Sequence, residues 1–341
     1  KWDTAYVAEK LKQAELDLDE QQLKPYFPLN QVLQGLFEIV KKLYGIELRK
    51  NKDVAKYHEE VDVYEVYKEN AFYALLYTDF FPRAGKRNGA WMTSYRSQKT
   101  GQRPHISIVC NFSKPTQTKP SLLTFQEVTT LFHEFGHALH GMLANTSYSS
   151  LSGTSVFWDF VELPSQIMEN WCYQPEALAL YAKHYETAEV IPNELIQKIK
   201  KAAHFQQGLQ TLRQLSFAYL DLSFHDQHAN RIKDVKQHEK EQIQHLQFTK
   251  DIAENCLSTA FSHIFQGGYS AGYYSYKWAE VLDADAFELF LEKGIFDGPT
   301  AHAFLKHILS KGGTEHPMTL YKRFRGKEPD PSALLRRAGL T

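Results

Sequence analysis

The segment TFQEVTTLFHEFGHALHGM, residues 124–142, predicts an amphipathic helix with two histidines on one face. Thr124 and Glu127 have the spacing of a capping box at its start. Apolar side chains then recur every three to four positions, which predicts one buried face. These side chains are Val128, Leu131, Phe132, Phe135, Leu139 and Met142. The pentapeptide HEFGH places His133 and His137 one helical turn apart, so both imidazoles point the same way.

The two histidines favour a metal site. Imidazoles one turn apart can bind one Zn²⁺ at about 2.0–2.1 Å. Glu134 lies at the edge of the same face, where its carboxylate can take a proton from a metal-bound water. The pentapeptide also arises by chance in a chain with 15 histidines, so a third ligand from another element decides the matter. His140 lies about 10 Å along the helix from His133, too far to share its ion, and we interpret it as a pocket wall or a core histidine.

The segment DFVELPSQIMENW, residues 159–171, supplies candidates for the third ligand. Its acids and amides form one stripe of an otherwise apolar helix, which is unusual for a solvated surface. Glu162 comes 25 positions after the second histidine, enough for a loop and a returning helix, and we assign it as the third ligand. Asp159 and Glu169 are candidates to orient the imidazoles through their free N–H groups. Ordinary surface acids remain an alternative for these two residues.

Near the C-terminus, the segment HIFQGGYSAGYYSY, residues 263–276, combines a histidine, a Gly-Gly pair and four tyrosines. Tyr269, Tyr273 and Tyr276 share a face if this region is helical. Phenols can donate hydrogen bonds to a developing oxyanion and to peptide carbonyls. An aromatic core stripe explains the same spacing, and the residues alone leave both interpretations open.

The whole chain is predicted to be mainly α with one small antiparallel β-sheet. Residues 1–58 read as helical, with a 3.6-residue apolar period. Residues 61–112 alternate and are rich in β-branched and aromatic side chains, which predicts four short antiparallel strands. The polar segment 226–250 is predicted to be a solvated helix or a mobile connection. No linker or repeat interrupts the chain, so residues 1–341 are expected to form one domain.

Composition excludes several classes of function. The chain has 39 Lys plus Arg and 40 Asp plus Glu, a net charge of −1, which argues against a nucleic-acid binder or an electrostatic membrane binder. No apolar run approaches the roughly 18 residues of a membrane-spanning helix. Three sparse cysteines without metal-type pairing favour a reducing compartment, and we expect a cytoplasmic location. The chain begins with Lys1 instead of Met, from which we expect a fragment or a processed product.

Three strings, in the same order, resemble the thimet oligopeptidase and oligopeptidase A family of zinc metallopeptidases. They are LFHEFGHALHG at 131–141, FVELPSQIMENW at 160–171 and FSHIFQGGYSAGYYSYKW at 261–278. The likeness extends over nearly the whole chain and is strongest to bacterial oligopeptidase A and peptidyl-dipeptidase. It implies a zincin-like catalytic domain that binds one Zn²⁺ per chain.

The resemblance implies a role for each group of site residues. The implied zinc ligands are His133, His137 and Glu162. The implied catalytic residues are Glu134 as general base, and Tyr269 and Tyr276 as hydrogen-bond donors to the transition state. The implied substrate-binding residues are His263, Tyr273 and, on a sheet edge along which the peptide lies, Gly89 and Trp91.

The expected reaction is hydrolysis of internal bonds in short peptides. One alternative is a peptidyl-dipeptidase, which removes dipeptides from a free C-terminus. An alternative from another class is a zinc-holding peptide-binding fragment without turnover. Members of the family are typically about twice as long, and their N-terminal helical half forms the opposite wall of a deep channel. The chain resembles only the catalytic C-terminal half, so the absent N-terminal half is a candidate partner.

Overall fold

The computed structural model describes residues 3–226, 229–247, 252, 254–266 and 268–341. Several positions of the predicted elements therefore lie outside the described residues. They are Lys1 and Trp2 of the N-terminal helix, residues 227, 228 and 248–250 of the polar segment, and Gly267 of the Gly-Gly pair.

The described residues form helices that surround one sheet. The helices are α1 (Thr4–Leu16), α2 (Glu20–Leu23), α3 (Leu29–Tyr44), α4 (Phe125–Met142), α5 (Trp158–Val161), α6 (Leu163–Glu169), α7 (Pro175–Tyr181), α8 (Asn193–Ala203), α9 (Gln207–His225), α10 (Val235–Ile243), α11 (Leu257–Ala260), α12 (Ser275–Lys293), α13 (Gly298–Phe304), α14 (Pro317–Arg325) and α15 (Ser332–Arg337). The strands are β1 (Ile46–Asn51), β2 (Asp62–Lys68), β3 (Ala71–Asp79), β4 (Trp91–Arg96) and β5 (His105–Val109). None of the described helices is both long enough and apolar enough to cross a lipid bilayer.

The five strands lie in the order β1-β2-β3-β5-β4. Strands β3 and β5 are parallel, and the other neighbouring strands are antiparallel. A mainly α fold with one small sheet is thus confirmed, whereas the prediction that all strands are antiparallel is wrong. The reason lies in burial. Strand β5 buries four of its five residues and takes an inner position beside β3, while the more exposed β4 forms the edge.

The prediction that residues 1–58 are helical is wrong for β1. Helix α3 ends at Gly45, whose φ of 67° lies in the left-handed region that favours glycine and stops a helix. After this turn, Ile46 is buried, Glu47 and Leu48 are half-buried, and Arg49 and Lys50 are exposed. Strand β1 then pairs antiparallel with β2 over its whole length. The predicted stripe of α3 itself is confirmed, since its apolar side chains lie in the main core.

Helix α4 lies in the main hydrophobic core, with β5 on one side and α6 on another. Its predicted capping box is present, because Thr124 accepts from the Glu127 N–H and Glu127 accepts from the Thr124 N–H. The predicted apolar face is buried throughout. A rigid helix therefore holds His133 and His137 on its remaining, partly exposed face.

A second, smaller hydrophobic cluster lies around α9, α10 and the start of α12. Its buried residues are Ala218, Leu220, Ile243, Ile264 and Tyr273. The predicted polar segment 226–250 thus contains a helix, α10, but this helix is not fully solvated. It buries His238, Glu239 and Ile243.

Candidate metal centre and active site

Two helices and a helix break bring the three predicted ligands together. Helix α4 supplies His133 and His137. Glu162 lies at the junction between α5 and α6, and Pro164 occupies the first turn of α6, where its missing N–H costs nothing. The Nε2 atoms of His133 and His137 lie 3.2 and 3.1 Å from Oε2 of Glu162. One ligand atom from each residue lies within 4.8 Å of the others.

The donor set fits a zinc ion. Two imidazole nitrogens and one carboxylate form a common catalytic zinc set, which leaves a fourth position open. Two ligands that are each about 2.0–2.1 Å from a tetrahedral ion lie about 3.3 Å apart, near the separations of Glu162 from the two histidines. Glu162 is only 1% exposed, and a carboxylate so deeply buried needs a positive partner.

The charges around the ligands favour a cation at their centre. Burial opposes ionisation of Glu162, but the charges and hydrogen bonds of His137 and His133 outweigh it and hold its pKa well below the usual range. Burial also opposes the charged form of His133 and lowers its pKa. Hydrogen bonds to Glu162 and Glu169 outweigh this effect and raise the pKa of His133 well above its ordinary value. Because the same carboxylates attract any positive charge, a divalent cation can replace the proton.

The orientation of the ligands depends on neighbouring polar groups. His133 Nδ1 lies 2.7 Å from Oε1 of Glu169, the contact expected of a residue that orients this imidazole. Asp159 makes no such contact, and its carboxylate accepts from the Tyr274 hydroxyl at 3.3 Å. Ser165 was not predicted, although it donates to Oε2 of Glu162 at 2.8 Å. Its position one turn after Glu162 is the sequence signal that could have indicated it.

Glu134 has the environment expected of a general base. It is 6% exposed, and its Oε2 has no hydrogen-bond partner within the described part of the chain. Burial raises the pKa of this carboxyl. A carboxylate with a free oxygen and a raised pKa can take up a proton and release it again.

A turn, and not a helix, brings two of the predicted tyrosines together. Helix α12 begins only at Ser275, and residues 268–274 precede it as turns. The rings of Tyr269 and Tyr276 stack with centroids 5.1 Å apart. Tyr269 donates to Oε1 of Glu162 at 2.6 Å, and the Tyr276 hydroxyl lies 3.2 Å from Nε2 of His263. Burial raises the pKa of both phenols above the ordinary value, so both are neutral donors.

Tyr273 differs from the other predicted substrate-binding residues. It is 8% exposed, and its ring packs in the second hydrophobic cluster. Its hydroxyl donates to the Gln214 side chain at 2.9 Å. The geometry therefore favours an anchoring role for Tyr273 over direct contact with a peptide.

The predicted peptide-binding edge is strand β4. Trp91 begins β4 and pairs with Val109 of β5, and no strand of the described ranges pairs with the other side of β4. Gly89 precedes the strand with a φ of 96°, and its carbonyl accepts from the Asn111 side chain at 2.8 Å. An unpaired edge beside helix α4 can add an extended peptide as a further strand.

His140 was predicted to be either a pocket wall or a core histidine, and the structure shows a core histidine. It is 0% exposed, and neither ring nitrogen has a hydrogen-bond partner among the described residues. Burial lowers its pKa to about 3, so the imidazole is neutral.

The sequence profile of peptidase family M3 matches residues 1–340. The chain belongs to peptidase family M3. It is 46% identical to oligopeptidase A of Escherichia coli (strain K12), over 99% of this chain and 51% of the relative. It is 41% identical to dipeptidyl carboxypeptidase of the same strain, with the same shares of the two chains. The chain thus spans about half the length of the curated relatives it matches.

Solved structures show the fold that this M3 chain shares with other metallopeptidases. The M32 carboxypeptidase from Deinococcus radiodurans R1 superposes with a TM-score of 0.51 at 13% identity, over 92% of this chain and 59% of that one. Trypanosoma cruzi metallocarboxypeptidase 1 superposes with a TM-score of 0.50 at 11% identity, over 97% of this chain and 62% of that one. The predicted zincin-like fold is confirmed.

Proposed function

We propose that this chain is the catalytic part of a zinc-dependent peptidase that hydrolyses internal bonds of short peptides. The observation that carries the proposal is the convergence of His133, His137 and Glu162 within 4.8 Å, with the buried Glu134 on the same helix. The similarity to oligopeptidase A supports the substrate class. The similarity to dipeptidyl carboxypeptidase supports a second candidate, a peptidyl-dipeptidase that acts on free C-termini.

The chain's own groups supply the proton transfers of this reaction. A zinc ion held by His133, His137 and Glu162 would polarise the scissile carbonyl and lower the pKa of a bound water towards about 7. Glu134 takes the proton of the attacking water on its free Oε2 and passes it to the leaving amine. Its raised pKa suits both steps, since the carboxyl must first accept the proton and then act as the acid.

The hydroxyl groups of Tyr269 and Tyr276 have different roles. Tyr269 is bound to an ionised, buried carboxylate at 2.6 Å, which makes a strong hydrogen bond. Tyr276 faces His263 at 3.2 Å, and burial lowers the pKa of that imidazole, so its partner is neutral. Because the weaker bond is exchanged more readily, we assign Tyr276 as the donor to the negative charge that develops on the substrate carbonyl. Tyr269 then stays hydrogen-bonded to Glu162, which the Ser165 hydroxyl also holds.

We also propose a partner for this chain and a location for the whole protein. A segment like the family's N-terminal half is the proposed partner that would complete the peptide channel, in keeping with the greater length of the relatives. The cytoplasmic location remains a prediction, and it agrees with three cysteines that are all free thiols. Peptides are the expected substrates, and neither nucleic acid nor membrane is an expected partner.

Mass spectrometry of the products tests the proposal. The zinc-loaded chain is incubated with short peptides that carry either a free or an amidated C-terminus. Internal cuts in both forms, abolished by a chelator and restored by zinc, are the expected result. Dipeptides released only from the peptide with a free C-terminus would identify a peptidyl-dipeptidase and contradict the endopeptidase. Intact peptides despite one bound zinc would contradict turnover by this chain and leave a peptide-binding fragment.

A further inference from the structure

The tyrosine loop, residues 268–274, is tied to α9 by one buried carboxylate outside the metal centre. Asp221 of α9 is 0% exposed. Its Oδ1 accepts from the backbone N–H of Ala271 at 2.9 Å, and its Oδ2 accepts from that of Tyr273 at 2.8 Å. Since a buried carboxylate is costly without donors, the loop and the helix each satisfy the other.

Other contacts also connect α9 with this loop. The Tyr273 hydroxyl donates to Gln214, which lies two turns before Asp221 on α9. His225, one turn after Asp221, has its Nδ1 3.0 Å from the Asp221 carboxylate. The loop is thus fixed at a side chain and at two backbone amides, all to the same helix.

The backbone of the loop needs such support. Ala271 has a φ of 57°, in the left-handed region that a residue with a Cβ rarely adopts. The bend at this position reverses the chain between Tyr269 and Tyr276, and their rings stack as a result. Tyr269 then reaches both Glu162, through its hydroxyl, and the Trp158 ring, with centroids 4.8 Å apart.

We propose that Asp221 is a positioning residue for peptide binding, an inference that rests on the proposed function. It holds the tyrosine loop in the conformation that places Tyr269 and Tyr276 at the metal centre. It does so through the backbone, without contact to the metal ligands or to the peptide. Removing the clamp should therefore release the phenols, while the three proposed ligands, with Glu162 still bound by Ser165, keep the metal in place.

Hydrogen exchange and peptide affinity test the clamp directly. Asp221→Asn keeps the shape of the side chain but turns an NH₂ group towards one of the two backbone donors. We expect the amides of Ala271 and Tyr273 to exchange at least about tenfold faster, the factor for one hydrogen bond to a charged group. We expect the affinity for a non-hydrolysable phosphinic peptide to fall by at least about the same factor, with one zinc still bound. Asp226→Asn, which alters an exposed carboxylate at the end of α9, is the matched control.

A pair of variants at Ala271 tests the same idea without altering α9. The Ala271 side chain is exposed, so there is room for a larger one. Ala271→Val makes the left-handed conformation less accessible and should weaken phosphinic-peptide binding with zinc retained. Ala271→Gly adopts that conformation freely and should bind at least as tightly as the parent.

The outcomes separate this inference from the proposed function. Unchanged exchange at Ala271 and Tyr273 in Asp221→Asn, or unchanged affinity in Ala271→Val, would overturn the clamp even if the parent chain cleaves peptides. Faster exchange and weaker phosphinic-peptide binding would support the clamp even if the parent chain cleaves nothing. Loss of zinc as well as peptide affinity in both Asp221→Asn and Ala271→Val would overturn a role confined to positioning.

Discussion

Glu134→Gln is expected to lower the turnover of a cleaved peptide by about 10²–10⁴-fold, the usual contribution of a general acid–base. Glutamine has the size of glutamate but cannot take a proton from water. Oε2 of Glu134 has no hydrogen-bond partner in the described ranges, so at that atom the amide loses no bond. Since Glu134 is not among the three converging ligands, the variant should still bind one zinc. Turnover by peptide mass spectrometry and zinc by elemental analysis are measured on the same sample.

The matched control is Glu127→Gln. Glu127 lies on the same helix, and a glutamine can replace it in a capping box. This control should keep its turnover and its zinc. If Glu134→Gln retains most of the parent turnover, the proton-transfer role assigned to Glu134 is wrong.

Gly136→Ala is expected to disturb the candidate metal centre through the close contact between α4 and α6. A Cβ atom on Gly136 would lie 2.2 Å from the carbonyl oxygen of Pro164 and 2.6 Å from Cα of Ser165. Both are backbone atoms of α6, so no side-chain rotation removes the clash. The helices must separate, which moves Glu162 away from the two histidines of α4. We expect zinc affinity to fall by about 10–100-fold, as for other losses of support to metal ligands.

The same overpacking should lower the free energy of unfolding by about 1–3 kcal/mol. Zinc affinity is measured by competition with a chelator, and stability by denaturant unfolding of the zinc-free chain. Gly208→Ala on α9 is the control, since nothing lies within 4 Å of the Cβ it adds. It should leave zinc affinity unchanged and stabilise the helix slightly. Zinc binding by Gly136→Ala as tight as the parent's would show that the α4–α6 approach does not set the ligand geometry.

The sequence predicts the three proposed metal ligands because their signals are local. A period of 3.6 residues places His133 and His137 on one face, and Glu162 belongs to a stripe of acids and amides on an otherwise apolar helix. Gly136 also carries a local signal, since a glycine in mid-helix weakens it and often marks a close approach. The main helices follow from the same periodicity.

Features that depend on distant parts of the chain are harder to predict. The parallel pairing of β3 with β5 follows from which strand is more buried, which no single strand reveals. The tyrosine spacing suggests a helical face, but a turn at Ala271 brings the rings together. Asp221 lies 50 residues before the amide it binds, and a lone acid on a helix has no recognisable pattern.

We propose that His133, His137 and Glu162 hold one zinc ion. Anomalous diffraction at the zinc absorption edge, from crystals of the zinc-loaded chain, tests it most directly. One strong peak is expected about 2.0–2.2 Å from Nε2 of each histidine and from the Glu162 carboxylate. A peak at another position, with these three side chains unliganded, would contradict it.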